Sequence, residues 1–334
     1  MGNYTDILNR YKKPILKKKN VVGVGFGYKE KKGKTTGEEA LIVLVKKKLP
    51  ENRISKKEII PQRVDVYKTD VIEIGELSFY QKRTKRLRPA QPGVSIGHYK
   101  VSAGTFGAVV KDKKTGVSLI LSNNHVLANI SNGVDNRAKK GDPILQPGIY
   151  DDGKKPGDII GYLERFVPIH SSEGRPDCKI AIAVEKTVNL LIHFFRNNYK
   201  FKLLKEGGTN LVDCAVAKPS REGLIDSKII EIGDVLEPLE PEINMEVKKS
   251  GRSSGLTKGR IVAVEATLTV NMNETDTAVF EDQFVTTPIS KPGDSGSLIL
   301  DMNNHAVGLL FAGSEKATVC NRISNVLEIL SVEF

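Results

Sequence analysis

Cysteine is scarce in this chain: three residues, Cys178, Cys214 and Cys320, an odd number in apolar or strand-like surroundings and without metal-ligand spacing. That argues against a disulfide scaffold and a metal site, and free thiols in a reducing compartment are the expectation. Long uncharged apolar runs are missing too. The most apolar stretch, residues 190–195, is hemmed in by Lys179, Glu185, Lys186 and Arg196, which leaves nothing near the ~20 residues of a membrane-spanning helix. The opening residues, Met-Gly-Asn-Tyr-Thr-Asp, lack the apolar segment of a secretory leader, so the expected location is cytoplasmic. No low-complexity tract interrupts the 334 residues, and 39% hydrophobic content is enough to fill the cores of two domains.

Phosphate-binding motifs fail on inspection. Gly23-Val-Gly25-Phe-Gly27 has Tyr28 where a dinucleotide fingerprint needs its third glycine, and Gly33-Lys34-Thr35 has Gly27 one residue too far upstream for a P-loop. No cofactor is expected. The charge, by contrast, is one-sided. Residues 1–93 carry 23 Lys plus Arg against 10 Asp plus Glu, a net of +13, so the remainder of a chain that totals +11 stands at −2. The basic clusters, at residues 17–19, 29–34, 46–48 and 82–88, read first as solvated surface. An anionic partner such as nucleic acid or an acidic protein is the alternative, although no recognisable nucleic-acid module accompanies them.

What is present is most informative at residues 292–297, Pro-Gly-Asp-Ser-Gly-Ser, followed by the apolar run 298–300. A nucleophilic serine needs its Oγ clear of the backbone and N–H groups nearby to receive an oxyanion. Gly293 lets the chain turn and leaves its N–H unshielded, Asp294 can anchor the turn, and Gly296 clears room beside Ser295. A second island, residues 120–129, reads Ile-Leu-Ser-Asn-Asn-His-Val-Leu-Ala-Asn and sets a histidine at the end of an apolar strand. Imidazole titrates near neutrality, so His125 can take the serine proton and return it to a leaving group. Of the five histidines (His98, His125, His170, His193 and His305) only His125 has this setting.

These residues resemble the trypsin-like serine peptidases, whose chain order is His, then Asp, then Ser. His125 matches the histidine motif, Ser295 the nucleophile motif, and residues 307–314, Val-Gly-Leu-Leu-Phe-Ala-Gly-Ser, the strand lining the specificity pocket. The resemblance extends to the cytoplasmic bacterial and plant branch that includes the plant narrow leaf protein. It runs through Val-Val-Gly-Val-Gly-Phe-Gly-Tyr-Lys from Val21, Arg-Pro-Ala-Gln-Pro-Gly from Arg88 and Lys-Ser-Gly-Arg-Ser-Ser-Gly-Leu-Thr-Lys-Gly from Lys249.

Two segments compete for the acid. A triad aspartate must be fixed and nearly buried to hold the histidine tautomer, which favours a strand. Asp213 sits in such a run, stopped by Pro219. Asp177 begins a stretch with apolar residues at 180, 184, 188, 191, 192 and 195, a helical spacing that makes it a helix N-terminal carboxylate. The branch's Asn-x-Val-Asp pattern also lands on Asp213. Asp213 is therefore preferred, with Asp177 as the alternative triad acid. The 88-position interval from His125 to Asp213 implies an insertion, assigned to residues 171–209 and read as a packed amphipathic helix followed by a polar stretch.

The fold expectation is mainly β. Short β-branched runs separated by Gly, Asn and Asp turns after Gly93 favour antiparallel barrels, and the resemblance implies two six-stranded barrels over residues 94–334, with a closing helix from Asn325. Residues 1–80 read as a small basic α/β domain: a short helix, strands at 21–29 and 40–47 around a Gly-rich turn, and a strand at 64–74. Residues 81–93 have linker composition.

The expected function is serine endopeptidase. Ser295 is the nucleophile, His125 the base and then the acid, Asp213 the orienting carboxylate, and the Gly293 and Ser295 N–H groups form the oxyanion hole. The resemblance puts the pocket floor at Ile289, its walls at Phe311, Ala312 and Gly313, and Thr318 opposite. It also marks Phe311 as a departure, since many relatives carry there a small polar residue touching the triad acid. The partners expected are protein or peptide substrates, and self-association is open. A retired peptidase domain serving a basic binding domain is the alternative function.

Overall fold

The computed structural model describes residues 4–31, 34–75, 83–101, 103–174, 178–196, 198–273 and 276–334. The chain divides into two compact units, Met1–Gln81 and Lys82–Phe334.

In the first unit, helix α1 (Tyr4–Leu16) precedes strands β1 (Val21–Lys31), β2 (Lys34–Val45), β3 (Arg63–Val64) and β4 (Tyr67–Glu73), in sheet order β1-β2-β4-β3. β1 and β2 form an antiparallel hairpin, whereas β4 returns parallel to β2, pairing Val43 with Val71. Leu8, Tyr11 and Ile15, spaced by three and four residues, give α1 one apolar face, which joins Leu41, Val43 and Val64 in the core. The strand expected over 64–74 is two strands. Asp65 takes a left-handed φ of 55°, so the chain turns back and Val64 pairs with Tyr67.

The second unit is built on two large sheets. Its elements in chain order are β5 (Ser95–His98), β6 (Gly104–Thr105), β7 (Ala108–Asp112), β8 (Ser118–Ser122), α2 (Asn124–Leu127), β9 (Pro143–Leu145) and β10 (Ile159–Phe166). Then come β11 (Glu173–Gly174), α3 (Lys179–Phe195), β12 (Lys205–Glu206), β13 (Thr209–Asn210), β14 (Ala215–Pro219), β15 (Glu246–Gly251), β16 (Gly255–Asn271) and β17 (Thr277–Thr286). β18 (Leu298–Asp301), β19 (Ala306–Gly313), β20 (Thr318–Arg322), α4 (Ile323–Ile329) and β21 (Val332–Glu333) complete it. The second large sheet runs β13-β17-β16-β15-β18-β19-β20, and a further β17–β20 pairing joins six of these strands in a ring. The first runs β21-β7-β8-β14-β10-β9-β5-β6, and among the described residues no pairing joins its two ends. Thus the architecture is mainly β with two large sheets, and the expected pair of six-stranded barrels is not reproduced as such. The C-terminal strand β21 adds itself to the edge of β7, extending that sheet.

Alternation along the strands explains the layering. On β8, Leu119 and Leu121 face a core shared with Leu298, Leu309 and Val326, while Ile120 faces a core inside the first sheet with Ile96, Phe106 and Ile160. On β18, Leu298 and Leu300 join the shared core and Ile299 points into the ring, against Val247, Phe284 and Leu310. Both faces of these strands are buried, which is why they read as uninterrupted apolar runs. The segment of linker composition is tied down from Arg83 onward. Arg83 ion-pairs with Glu231 and donates to Ser250 Oγ at 2.7 Å, and Ala90 bridges to Ile225.

The insertion departs from expectation in one respect. A helix is present, yet no α3 residue is buried: Ile180, Phe194 and Phe195 are 75–82% exposed. Polar residues of the helix are what meet the returning chain. Asn189 exchanges two 2.8 Å hydrogen bonds with the Phe201 backbone, and Glu185 accepts the Leu203 N–H. Asp177, one residue before Cys178, lies outside the described residues. No described helix is long and apolar enough to cross a membrane. Replacing Leu191 and Phe194 together by serine should shift the unfolding free energy by no more than about 0.5 kcal/mol per site, measured by thermal denaturation, because neither side chain is buried.

Candidate active site

His125 lies on α2, a single turn that interrupts the chain straight after β8. Asn123 stays extended at the start of that turn and spends its side chain elsewhere, donating to the Asp213 carbonyl at 2.7 Å. Asp213 precedes β14, the neighbour of β8 in the sheet, where Ala215 pairs with Ser122. Strand pairing therefore carries the aspartate alongside the histidine. His125 Nδ1 lies 2.5 Å from Asp213 Oδ2, and the His125 backbone N–H donates to Oδ1 at 3.3 Å. The carboxylate is nearly buried and the imidazole about one-quarter exposed. One face of the pair is fixed and the other is open to reactants.

Asn321, on β20, clamps the aspartate from the other sheet. Its Oδ1 accepts the Asp213 N–H at 2.9 Å, while its Nδ2 donates to the carbonyls of Leu309 and Asp213. Phe311 gives the acid no polar contact. It stacks instead on Phe280, ring centres 4.7 Å apart. Support for Asp213 thus runs through its backbone and two asparagines.

Ser295 sits in the loop between β17 and β18. Gly293 and Gly296 flank it at φ of 96° and 91°, values that a side chain would strain, and a Cβ on Gly296 would fall 2.1 Å from Ser122 Oγ. β6 holds this loop against the first sheet. Thr105 N–H donates to the Ser295 carbonyl at 2.7 Å and its hydroxyl to the Gly293 carbonyl at 2.9 Å. Gly104 touches both sides, since a Cβ there would meet Val126, beside His125, at 2.4 Å and the Ser295 carbonyl at 2.9 Å. The three expected residues are therefore brought to one junction. Ser295 Oγ donates to the Phe311 carbonyl at a long 3.4 Å, and among the described residues no hydrogen bond joins it to His125. In the same loop, the N–H groups of Asp294, Gly296 and Ser297 are all spent on backbone carbonyls. Those of Gly293 and Ser295 have no acceptor among the described residues.

A cavity of about 520 Å3 opens beside the pair. His125 and Asp213 line it, with Phe311, Ala312 and Gly313 opposite and Val270 and Met272 from the long β16–β17 hairpin. Ile289 and Thr318 do not line it. Ile289 is packed with Val247, Ile261 and Phe284, and its N–H donates to Thr318 Oγ1, which also bonds Ser290 Oγ at 2.8 Å. Val270, Met272 and Phe280 carry no local signal in the sequence. Two other histidines also face carboxylates: His98 meets Asp142 at 3.1 Å, wholly buried, and His305 meets Asp301 at 3.2 Å on the β18–β19 hairpin. A His–Asp pair is not by itself distinctive here. The open cavity and the neighbouring serine loop set His125 apart.

Behind Ser295 lies a buried ion pair. Lys249 Nζ is 3.0 Å from Asp294 Oδ2 and both side chains are completely buried. Asp294 also accepts the N–H groups of Ser253, Ser254 and Lys291 and the Ser254 hydroxyl. Burial pushes the Asp294 carboxyl up, but the Lys249 ammonium, the Ser254 hydroxyl and the Lys291 N–H outweigh it and hold it below the ordinary carboxylate value. Burial pulls Lys249 down, against the attraction of Asp294. Since the native Asp294 value is below the unfolded one, its stabilisation is present above the ordinary aspartate pKa and is lost as pH falls below about 4. Lys249→Met, which strands the carboxylate, should cost about 3–5 kcal/mol in denaturant unfolding. Adding Asp294→Asn should cost less than the sum of the two single changes, and strict additivity would disprove the coupling.

No protein-family model matches the chain, and no curated protein matches it. Solved structures do. A Nocardiopsis protease, NAPase, aligns at 14% identity over 73% of this chain and 98% of its own, with a TM-score of 0.46. A glutamic-acid-specific serine protease aligns at 15% identity over 73% and 99%, at 0.45. Cellulomonas bogoriensis chymotrypsin aligns at 14% over 73% and 96%, also at 0.45.

Proposed function

We propose that this chain is a serine endopeptidase. The observation that carries the reading is the 2.5 Å contact of His125 Nδ1 with the buried Asp213 carboxylate, beside a loop that presents Ser295 and two uncommitted N–H groups. With Nδ1–H given to Asp213, Nε2 is the nitrogen that accepts a proton. Rotation about χ1 takes Ser295 Oγ from the Phe311 carbonyl toward His125, which removes its proton as Oγ attacks the substrate carbonyl. The Gly293 and Ser295 N–H groups receive the oxyanion. Collapse of the tetrahedral intermediate breaks the C–N bond, His125 returns the proton to the leaving amine, and water hydrolyses the acyl-enzyme by the same steps. The motifs from Val21, Arg88 and Lys249 support a place in the cytoplasmic bacterial and plant branch.

A fluorophosphonate should label Ser295 in the wild type and leave Ser295→Ala unlabelled. Lack of labelling in both would favour a retired binding protein. Ser295→Ala and His125→Ala should each lower kcat on the order of a millionfold, with the double variant barely worse, because the residues act as a unit. Asp213→Asn should lower kcat by about ten-thousandfold by selecting the wrong tautomer.

Substrate choice follows from the pocket. Phe311, Ala312 and Gly313 offer no carboxylate, and the one acid among the lining residues, Asp213, is committed to His125. A basic side chain buried there would lack an ion-pair partner, so kcat/KM on a peptide library varied before the scissile bond should favour small or medium apolar residues over Arg or Lys. A tenfold preference for Arg or Lys would sink this assignment.

A further inference from the structure

The basic N-terminal unit holds a second cavity, of about 410 Å3, a size typical of small-molecule sites. Its floor is aliphatic: Val21 at the start of β1, Val45 at the end of β2 and Val71 within β4, with Leu49, Ile54 and Ile60 from the β2–β3 connection. Lysines stand around this floor. Lys18 and Lys48 are committed, their ammonium groups donating to the carbonyls of Lys57 at 2.6 Å and Val71 at 3.0 Å. Lys19, Lys47 and Arg53 also line the cavity, and among the described residues their side chains have no partner. The acids that face it are Glu51 and Glu58, and Glu58 already accepts the Lys19 backbone N–H at 2.6 Å. Five cations against two carboxylates leave the lining positive.

We infer that this cavity binds a medium-chain monocarboxylate, its alkyl chain on the valine and isoleucine floor and its carboxylate among Lys19, Lys47 and Arg53. Charge complementarity selects the anion. The lining also has few neutral hydrogen-bonding groups: the Asn20 amide is spent on the Lys47 backbone, which leaves Ser55. A peptide backbone would have little to pair with, whereas an acyl chain needs no polar partner. The basic clusters at residues 17–19 and 46–48 then have a use other than nucleic acid, because each supplies rim cations to one apolar cavity.

Calorimetric titration of the full-length protein with decanoate, hexanoate, decanol and decylamine tests this. Decanoate should bind saturably with one site per chain and at least tenfold tighter than hexanoate, since each buried methylene contributes roughly fourfold. Exposed Lys19 and Lys47 can be changed without touching the core. Lys19→Glu with Lys47→Glu should weaken decanoate at least fivefold and leave decanol unchanged. Absence of saturable decanoate binding, equal or tighter binding of decylamine, or an unaltered affinity in the double variant would each overturn the assignment.

Discussion

The contact between Lys249 and Asp294 fixes the geometry on which the proposed chemistry depends. A carboxylate buried without a counter-ion would be expelled or neutralised, and either would release the backbone groups of Ser253, Ser254 and Lys291 that it gathers. Those groups belong to the β15–β16 turn and to the approach to Ser295. One carboxylate therefore joins the second sheet's own turn to the loop carrying Ser295. Because the cation is a side chain of β15, it is in place as soon as the ring folds.

The segments proposed as the site stand out in the sequence because each is local. The Gly-Asp-Ser-Gly turn and the strand-to-turn setting of His125 each sit within a few residues, and each sequence carries its own geometric reason. Asp213 is preferred over Asp177 because its run reads as strand, and the structure sets it just before β14, beside the strand that leads to His125. Lys249 left a fainter trace. It follows Val247 by two on β15, and both are fully buried, so alternation is the signal that could have singled it out. Asn321 left none, since its value comes from β20 lying opposite Asp213 across 108 positions of chain.

The fold was legible in its repeating features and obscure in its exceptions. Both-face burial made the strands of the second unit visible, but strand pairing is a non-local property, so neither the addition of β21 at the edge of β7 nor the open order of the first sheet could be read from periodicity. The helix at 179–195 showed the reverse fault. Its apolar spacing announced a helix, while the expectation that its apolar face packs inward is not met, since no α3 residue is buried.

That helix also leaves and re-enters the body at one point. Gly207 N–H meets the Ser172 carbonyl at 2.9 Å, and β11 pairs with β12 between them. The excursion closes on itself before β13 begins, so the path that delivers Asp213 starts from the same place whatever lies beyond the ribbon. A segment attached in this manner can lengthen, shrink or be exchanged without shifting the frame that carries Asp213.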